Sequence, residues 1–461
     1  MFRRTTGIQG KQVHVALHDR SDGNASDTGA GTVVIISASV GAGHDGAAAE
    51  LTRRLTLAGV GVTRHDFLDL LPPPVGRLLN ASYHRMLEHA PWMFERIYAA
   101  TDRPGGGRPA ATALRAAEAR TLAALPPGTR AVVSTYPLAS QVLGALRRDG
   151  RLSVPTFTYL TDFSVHPTWV ADGIDVHLAA HPVPAEQARR AGAARVRTTF
   201  PVVAPEFAPA SGGDRATARA RFGLPATEPL ALLVAGSWGV GDVARTASEI
   251  RAGGVATPVV VCGRNERLAR RLRLAGVEHV LTWVADMPSL MRAADVLVQN
   301  AGGLTSLEAF ASGLPVISYN CIPGHGRTNA AALEEAGLAP WVRRAEDLSA
   351  ALSRVLLGAE GTARRAAGLA LFDTPPDSGP DAAVRSVLTP APRATRDGAG
   401  SGSGDHRPTG IRRARGGSPR RRAAAAALTV AVVAGVALTA PESTEAAVAH
   451  SSWTLLHVVH R

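Results

Sequence analysis

Near residue 32 the chain changes from mixed polar residues to an unbroken apolar run, Val33-Val34-Ile35-Ile36, followed by Gly41 and Gly43 and an alanine-rich stretch through Leu57. A short apolar run bounded by turn residues predicts a strand covered on both faces, here leading through a glycine loop into a helix. The pattern then predicts a strand over 60–67, a helical region over 75–101, a helix over 110–124, and strands over 131–134 and 156–160. After residue 227 it starts again. A strand over 230–235 ends in Gly236-Ser237-Trp238-Gly239-Val240-Gly241, and short apolar runs at 259–262, 280–282, 296–299 and 316–318 alternate with helical segments. Strands alternating with helices predict parallel sheets, and the repetition predicts an α/β fold of two doubly wound Rossmann-like domains. Ligands in such sheets bind beyond the strand ends, so two of them facing each other predict one shared cleft.

The boundaries follow from the breaks in this pattern. Residues 1–31 read as a flexible leader, 32–205 as the first domain, 206–226 as a linker with Pro209, Pro225 and a Ser211-Gly212-Gly213 turn, and 227–389 as the second domain. Residues 390–422 read as a disordered basic tether, 423–440 as a candidate transmembrane helix and 441–461 as a tail. The candidate helix is uncharged, and at about 1.5 Å per residue it would be roughly 27 Å long, close to a hydrocarbon core. Its alanines and glycines contribute little transfer energy, so spanning is marginal and the alternative is a surface-associated or disordered tail. Arg420-Arg421-Arg422 before it predicts that the folded part stays on the cytoplasmic side.

Composition narrows the function. The formal charge is +12, and residues 391–461 hold ten arginines against four acidic residues, so much of the excess sits at one end. That tail suits an anionic membrane surface. Aromatic residues make up 5% of the chain, too few for a nucleic-acid stacking surface. With only Cys262 and Cys321, neither a disulfide framework nor a zinc site is supported.

Candidate chemistry begins at Gly41-Ala42-Gly43-His44-Asp45-Gly46. A glycine loop between strand and helix, with Asp66 twenty residues beyond Gly46, fits a dinucleotide fingerprint, in which the acid would take a ribose diol. Two features count against that reading. Four extra residues, Ser37-Ala38-Ser39-Val40, precede the first glycine, and His44 stands at the mouth of the predicted cleft, where an imidazole could accept a proton. The most specific string is NAGGLTSLEAFASGLPVI, residues 300–317. Gly302 and Gly303 lead into a helix whose first turn offers the backbone amides of Leu304 and Thr305 and the hydroxyls of Thr305 and Ser306, a cradle for a diphosphate. Glu308, one turn in, could accept hydrogen bonds from ribose hydroxyls. His325, Arg327 and Asn329, in PGHGRTN, could reach a sugar ring.

Taken together, SASVGAGH, VVSTYPLASQV, TYLTDFSVHPTWV, GSWGVGD, VVCGRNERL, VADMPSLMRAADVLVQNAGGLTSLEA and PGHGRTN, in this order, resemble the monogalactosyldiacylglycerol synthase family of glycosyltransferases, which is related to the peptidoglycan lipid-intermediate N-acetylglucosaminyltransferase. The resemblance runs from residue 33 to about residue 388. It implies a GT-B fold, a UDP-sugar donor held mainly by the second domain, and a lipid acceptor held mainly by the first. By position it implies donor contacts from Gly236, Ser237, Gly239, Gly241, Met287, Glu308, His325 and Asn329. Asp162, His166 and Trp169 match a pattern beside the cleft, on the acceptor side with Gly43, with either acceptor positioning or interdomain packing as their role. Three departures stand out: Tyr136 where relatives carry histidine, Thr199-Phe200-Pro201 in place of a glycine turn, and His325-Gly326 in place of a polar pair that reads the sugar.

The chain contains no Asp-x-Asp, the pattern that holds a divalent metal on a diphosphate. The expectation is therefore a metal-free reaction with no cofactor beyond the UDP-sugar. His44 would act as base, the starts of the 304 helix and the 236–241 loop would stabilise the leaving group, and Arg264 would help. The expected outcome is inversion at the sugar, with glycolipid as product. The alternatives are a nucleotide-dependent oxidoreductase or epimerase built on the first glycine loop, or a sugar-nucleotide-binding protein without catalysis.

Overall fold

The computed structural model describes residues 32–102, 114–373 and 378–388. The leader 1–31, the tether, the candidate membrane helix 423–440 and the tail fall outside them. Among the described residues no helix is long and apolar enough to cross a membrane.

Among the described residues twelve strands form two six-stranded parallel sheets. The first has the order β2-β1-β3-β4-β5-β6, with β1 at Thr32–Ser37, β2 at Val62–Asp66, β3 at Thr129–Ser134, β4 at Thr156–Tyr159, β5 at Val176–Ala179 and β6 at Val196–Thr198. The second has the order β12-β11-β10-β7-β8-β9, with β7 at Leu230–Val234, β8 at Thr257–Val261, β9 at His279–Leu281, β10 at Val296–Gln299, β11 at Val316–Tyr319 and β12 at Trp341–Val342.

The apolar runs are explained by burial on both faces. Along β1, Val33 and Ile35 pack with Ala47, Leu51 and Phe157 on one side of the sheet, whereas Val34 and Ile36 pack with Phe67, Val132 and Leu143 on the other. β7 repeats the arrangement: Leu230 and Leu232 meet Leu297 and Phe310, while Ala231 and Leu233 meet Ile250 and Val260. Side chains alternate across a strand, so helices on both faces require apolar residues at every position of a central strand.

Several boundaries differ from the sequence reading. The helical region 75–101 is two helices, Val75–His89 and Pro91–Thr101, because Ala90 precedes proline and takes φ −140°, outside the helical region. The segment read as a linker carries the helix Asp214–Arg221. There Arg219 is buried, donating to the carbonyls of Ala293, Pro225, Ala226 and Glu228 and pairing with Asp295 at 2.7 Å, which fastens the segment to the second lobe. By sequence the last described helix, Pro380–Arg385, belongs to the second domain. It instead returns to the first lobe, where Ala383 and Val384 pack with Ala47, Leu51 and Val202.

This return contact generates a prediction. Val384→Asp places an unpaired carboxylate in that buried layer and should destabilise the first lobe by about 3 kcal/mol or more. Denaturant unfolding followed by limited proteolysis should show first-lobe fragments appearing at lower denaturant, with the second lobe protected as before.

Candidate active site

The two lobes meet where their glycine loops end. The helix Ala42–Leu57 starts at Gly41 and the helix Leu304–Ala311 at Gly303, and neither start has a side-chain cap. Their leading amides therefore border open space. The approach is tight: a Cβ on Gly46 would lie 2.5 Å from Leu304 Cδ2. Gly302, at φ +73°, occupies the left-handed region, and a Cβ there would come within 2.7 Å of the Asn329 Cβ. Between the loops lies a cavity of about 450 Å³ lined by both lobes, including Gly43, His44, Tyr83, His84 and Asp162 from the first and Gly236, Gln299, Gly303, Glu308 and His325 from the second. A second chamber of about 640 Å³ adjoins it through Gly236, Ser237, Thr305 and Glu308, and is walled by Phe207, Trp283, Asp286 and Met287.

His44 has a defined protonation pattern. Its Nδ1 lies 2.8 Å from the Thr135 carbonyl and 3.0 Å from Thr161 Oγ1. A carbonyl only accepts, so Nδ1 carries the proton and Nε2 keeps its lone pair. Burial lowers the His44 pKa, with Asp162, the Thr135 carbonyl and Asp45 opposing that shift, so the ring is neutral at physiological pH. Tyr136 meets it edge-on at 5.3 Å and Trp169 lies 5.9 Å away. A neutral imidazole with one nitrogen tied to the backbone and one free is a proton acceptor.

Glu308 stands across the cavity with no hydrogen-bond partner for its carboxylate among the described residues, and burial pushes its pKa up to about 7. Ser306, beside it, is 1% exposed with an unpartnered hydroxyl, and the Gln299 Oε1 is likewise buried and unpartnered. Thr305, Gly302, Gly303 and Leu304 line the first cavity together with Gly236 and Ser237. Asp286 caps the helix Met287–Ala293 by accepting from the Ser289 amide at 3.1 Å and pairs with Arg221, which leaves the Met287 end of that helix on the second chamber. Arg264 is on the rim, its guanidinium 4.7 Å above the Trp283 ring. Gly239 and Gly241 shape the loop from outside the cavity wall, the former against Asn265 and the latter against Asn300. His325 reaches the cavity, where burial lowers its pKa and Phe94 meets it edge-on at 5.8 Å.

Asn329, expected at the sugar, is placed otherwise, and His166 and Trp169, expected beside the cleft, are engaged in packing. Asn329 is fully buried, and its Oδ1 accepts from the Ser164 amide at 2.7 Å and hydroxyl at 2.9 Å, while its Nδ2 donates to the Ala301 carbonyl at 2.9 Å and to Asp162 at 3.4 Å. An asparagine amide offers two acceptor and two donor positions, and all four are filled by protein from both lobes. Asn329 is a bolt between lobes. His166 receives the Thr168 amide on Nδ1 and donates Nε2–H to the Tyr98 carbonyl at 3.1 Å, which pins the helix Pro91–Thr101. Trp169 is 1% exposed and donates to Asp162 Oδ2 at 3.1 Å, so it orients that carboxylate from within the core. Asp66 does not face the cavity. Its carboxylate accepts from the Leu68 amide at 2.9 Å and from Ser39, so the acid of the dinucleotide reading is occupied in shaping the loop.

Four participants escaped the sequence reading. Thr135 and Thr161 hold the His44 ring, and their positions at the ends of neighbouring strands are visible only once the sheet order is known. His84 and Trp238 stack at 4.2 Å across the lobes, a contact with no local sequence signal.

Comparison with known proteins follows the same division. Residues 44–199 match the family model described as monogalactosyldiacylglycerol (MGDG) synthase, and residues 232–357 match that of glycosyl transferases group 1. The first match lies on the first sheet and the second on the second. Over 233 residues the chain is 29% identical to a processive diacylglycerol beta-glucosyltransferase of Bacillus subtilis (strain 168), covering 49% of this chain and 60% of the relative. The corresponding protein of Bacillus pumilus (strain SAFR-032) is 28% identical with the same coverage. The matched region thus spans less than two thirds of these relatives. Among solved structures, Medicago truncatula UGT71G1 complexed with UDP-glucose superimposes with a TM-score of 0.51 at 11% identity, over 78% of this chain and 98% of that one. The glycotransferase of kitacinnamycin gives 0.51 at 16% identity, over 78% and 99%. The fold is GT-B.

Glu308 supplies a pH-dependent prediction. In the unfolded chain a glutamate loses its proton near about 4.3, whereas Glu308 in the folded, empty protein holds it to about 7. The folded state therefore binds the extra proton between these values. Stability falls as pH rises through this window, and the full penalty remains above it. Glu308→Gln should raise the thermal midpoint of the ligand-free protein at pH 8 by a few degrees, and by distinctly less at pH 5. An equal shift at both values would show that the carboxyl is not buried as described.

Proposed function

We propose that the chain is an inverting glycosyltransferase that moves a hexose from a UDP-sugar to the hydroxyl of a lipid acceptor such as diacylglycerol, working at the cytoplasmic face of a membrane. The supporting observation is the shared cavity: a neutral imidazole from one lobe faces, across open space, an uncapped helix start and an unpartnered carboxyl from the other. The similarity to processive diacylglycerol beta-glucosyltransferases favours a glycolipid product.

In this reading uridine occupies the chamber beside Met287, Glu308 accepts from the ribose hydroxyls, and the diphosphate rests on the amides of Leu304 and Thr305 and on the 236–241 loop. His325 borders the sugar. The acceptor oxygen attacks the anomeric carbon from the side of His44 as the bond to the diphosphate breaks. The hydroxyl proton passes to Nε2, and the nearby Asp162 carboxylate favours the imidazolium that forms. The leaving group is met by preorganised backbone donors and by Arg264 from the rim, with no metal taking part. Attack opposite the leaving group turns an α-linked donor into a β-glycoside. The acceptor side adds Val75, Leu78 and Trp92, the last 60% exposed, on the paired helices beside the cavity. With Arg77, Arg85 and Arg96 exposed on the same helices, they suit an interfacial approach to lipid. The oxidoreductase reading loses its ribose ligand because Asp66 is engaged elsewhere.

The test is transfer of labelled hexose from UDP-sugars to diacylglycerol in mixed micelles. His44→Ala should lower turnover by roughly 100-fold to 10,000-fold with UDP affinity preserved, and an unimpaired variant would remove His44 from the mechanism. Thr161→Val should lower kcat several-fold with KM unchanged, and Thr161→Ser should restore it. A loss in Thr161→Val that serine does not rescue would make Thr161 a packing residue only.

A further inference from the structure

The helix Glu266–Leu274, ERLARRLRL, lies on the second lobe outside the cavity. Its buried side chains are Leu268, Ala269 and Leu272. At about 100° per residue these fall on one side of the helix, and Arg267, Arg270, Arg271 and Leu274 fall within about 100° of one another on the opposite side. All four are exposed. Among the described residues none of the three arginines has a hydrogen-bonded or ion-paired side-chain partner, although elsewhere in this protein surface arginines are commonly paired, as in Arg245 with Glu249 or Arg343 with Glu334. Leu274, 83% exposed, stands among them.

A row of guanidinium groups around a solvent-facing leucine, with Glu266 one turn before Arg270 but not ion-paired to it, is not explained by folding. Leu274 gains nothing from water, and three like charges on adjacent turns repel one another. The pattern fits a flat, anionic, partly apolar partner, in which guanidinium groups meet phosphate headgroups and the leucine enters the acyl boundary. Position supports the same partner. Asn265, which caps this helix through the Leu268 amide at 2.9 Å, also donates to the Trp238 carbonyl at 3.2 Å, and Trp238 stacks on His84 of the first lobe. The helix therefore starts beside the exposed Trp238 and Trp283 at the cleft rim, and through the Trp238–His84 contact this end adjoins the helix that carries Val75 and Leu78.

We infer that the arginine face of this second-lobe helix is an anionic-lipid-binding surface, which holds the donor lobe, as well as the acceptor lobe, against the membrane. The inference rests on the membrane setting proposed above but not on the chemistry of the reaction.

The test is sedimentation of the full-length protein with vesicles of phosphatidylcholine alone or mixed with phosphatidylglycerol. The wild type should partition to the anionic vesicles, less so as salt rises, and the triple variant R267Q/R270Q/R271Q should bind them at least tenfold more weakly with a flatter salt dependence. Leu274→Ser should give a smaller loss. The triple variant should keep its thermal midpoint, its UDP affinity and its rate on micelle-dispersed acceptor. Equal partitioning of wild type and triple variant on anionic vesicles would overturn the inference. So would a loss confined to binding of a soluble RNA, which would assign the face to nucleic acid. If no form transfers hexose to lipid, the proposed reaction fails, while the vesicle comparison still decides the arginine face.

Discussion

The buried amide of Asn329 is the constraint on which the site depends. It joins Ser164 of the first lobe to the Ala301 carbonyl of the second and touches Asp162, so one buried side chain ties the two lobes together. Around it, Thr328 meets Tyr98 at 3.1 Å and Ser164 at 2.8 Å, and Arg327 pairs with Glu95. Removing one member would leave buried donors or acceptors without partners, which costs about 1–3 kcal/mol for each orphaned group. The network therefore favours a single closed arrangement, and in that arrangement His44 and Glu308 line one cavity.

Within that frame the electrostatics are set by burial rather than by ion pairing. His44 is kept neutral by desolvation and oriented by a backbone carbonyl, so its accepting nitrogen does not depend on a flexible partner. Glu308 is held near neutrality by the same means, and a ribose diol is the kind of donor pair that would stabilise its charge. The unpartnered Ser306 hydroxyl and Gln299 oxygen add to a second-lobe wall rich in unsatisfied hydrogen-bonding groups. Such groups are uncommon in protein interiors unless something binds to them or they serve chemistry.

Much of this was legible in the chain because the signals were local. A four-residue apolar run bounded by turn residues predicts a strand buried on both faces, and glycines at a helix start leave its leading amides without a side-chain cap. The two lobes, the cleft, His44 and Glu308 follow from such patterns. What was not legible depends on partners distant in sequence. Asn329 and His166 have the residue types of ligands, yet their hydrogen bonds go to Ser164 and Tyr98, 165 and 68 residues away, and nothing near them in the chain announces this. β12 is two residues long and β6 three, too short for any periodicity, so both depend on the neighbouring strand for their definition. The return of Pro380–Arg385 to the first lobe is equally a tertiary choice, made by the apolar surface of Ala47 and Leu51.

Diffraction from crystals soaked in a UDP-hexose tests the central claim most directly. The account predicts uridine beside Met287, ribose on Glu308, diphosphate on the amides of Leu304 and Thr305, and the anomeric carbon turned toward His44 Nε2. Nucleotide density along residues 41–46 of the first lobe, with Glu308 unoccupied, would contradict it.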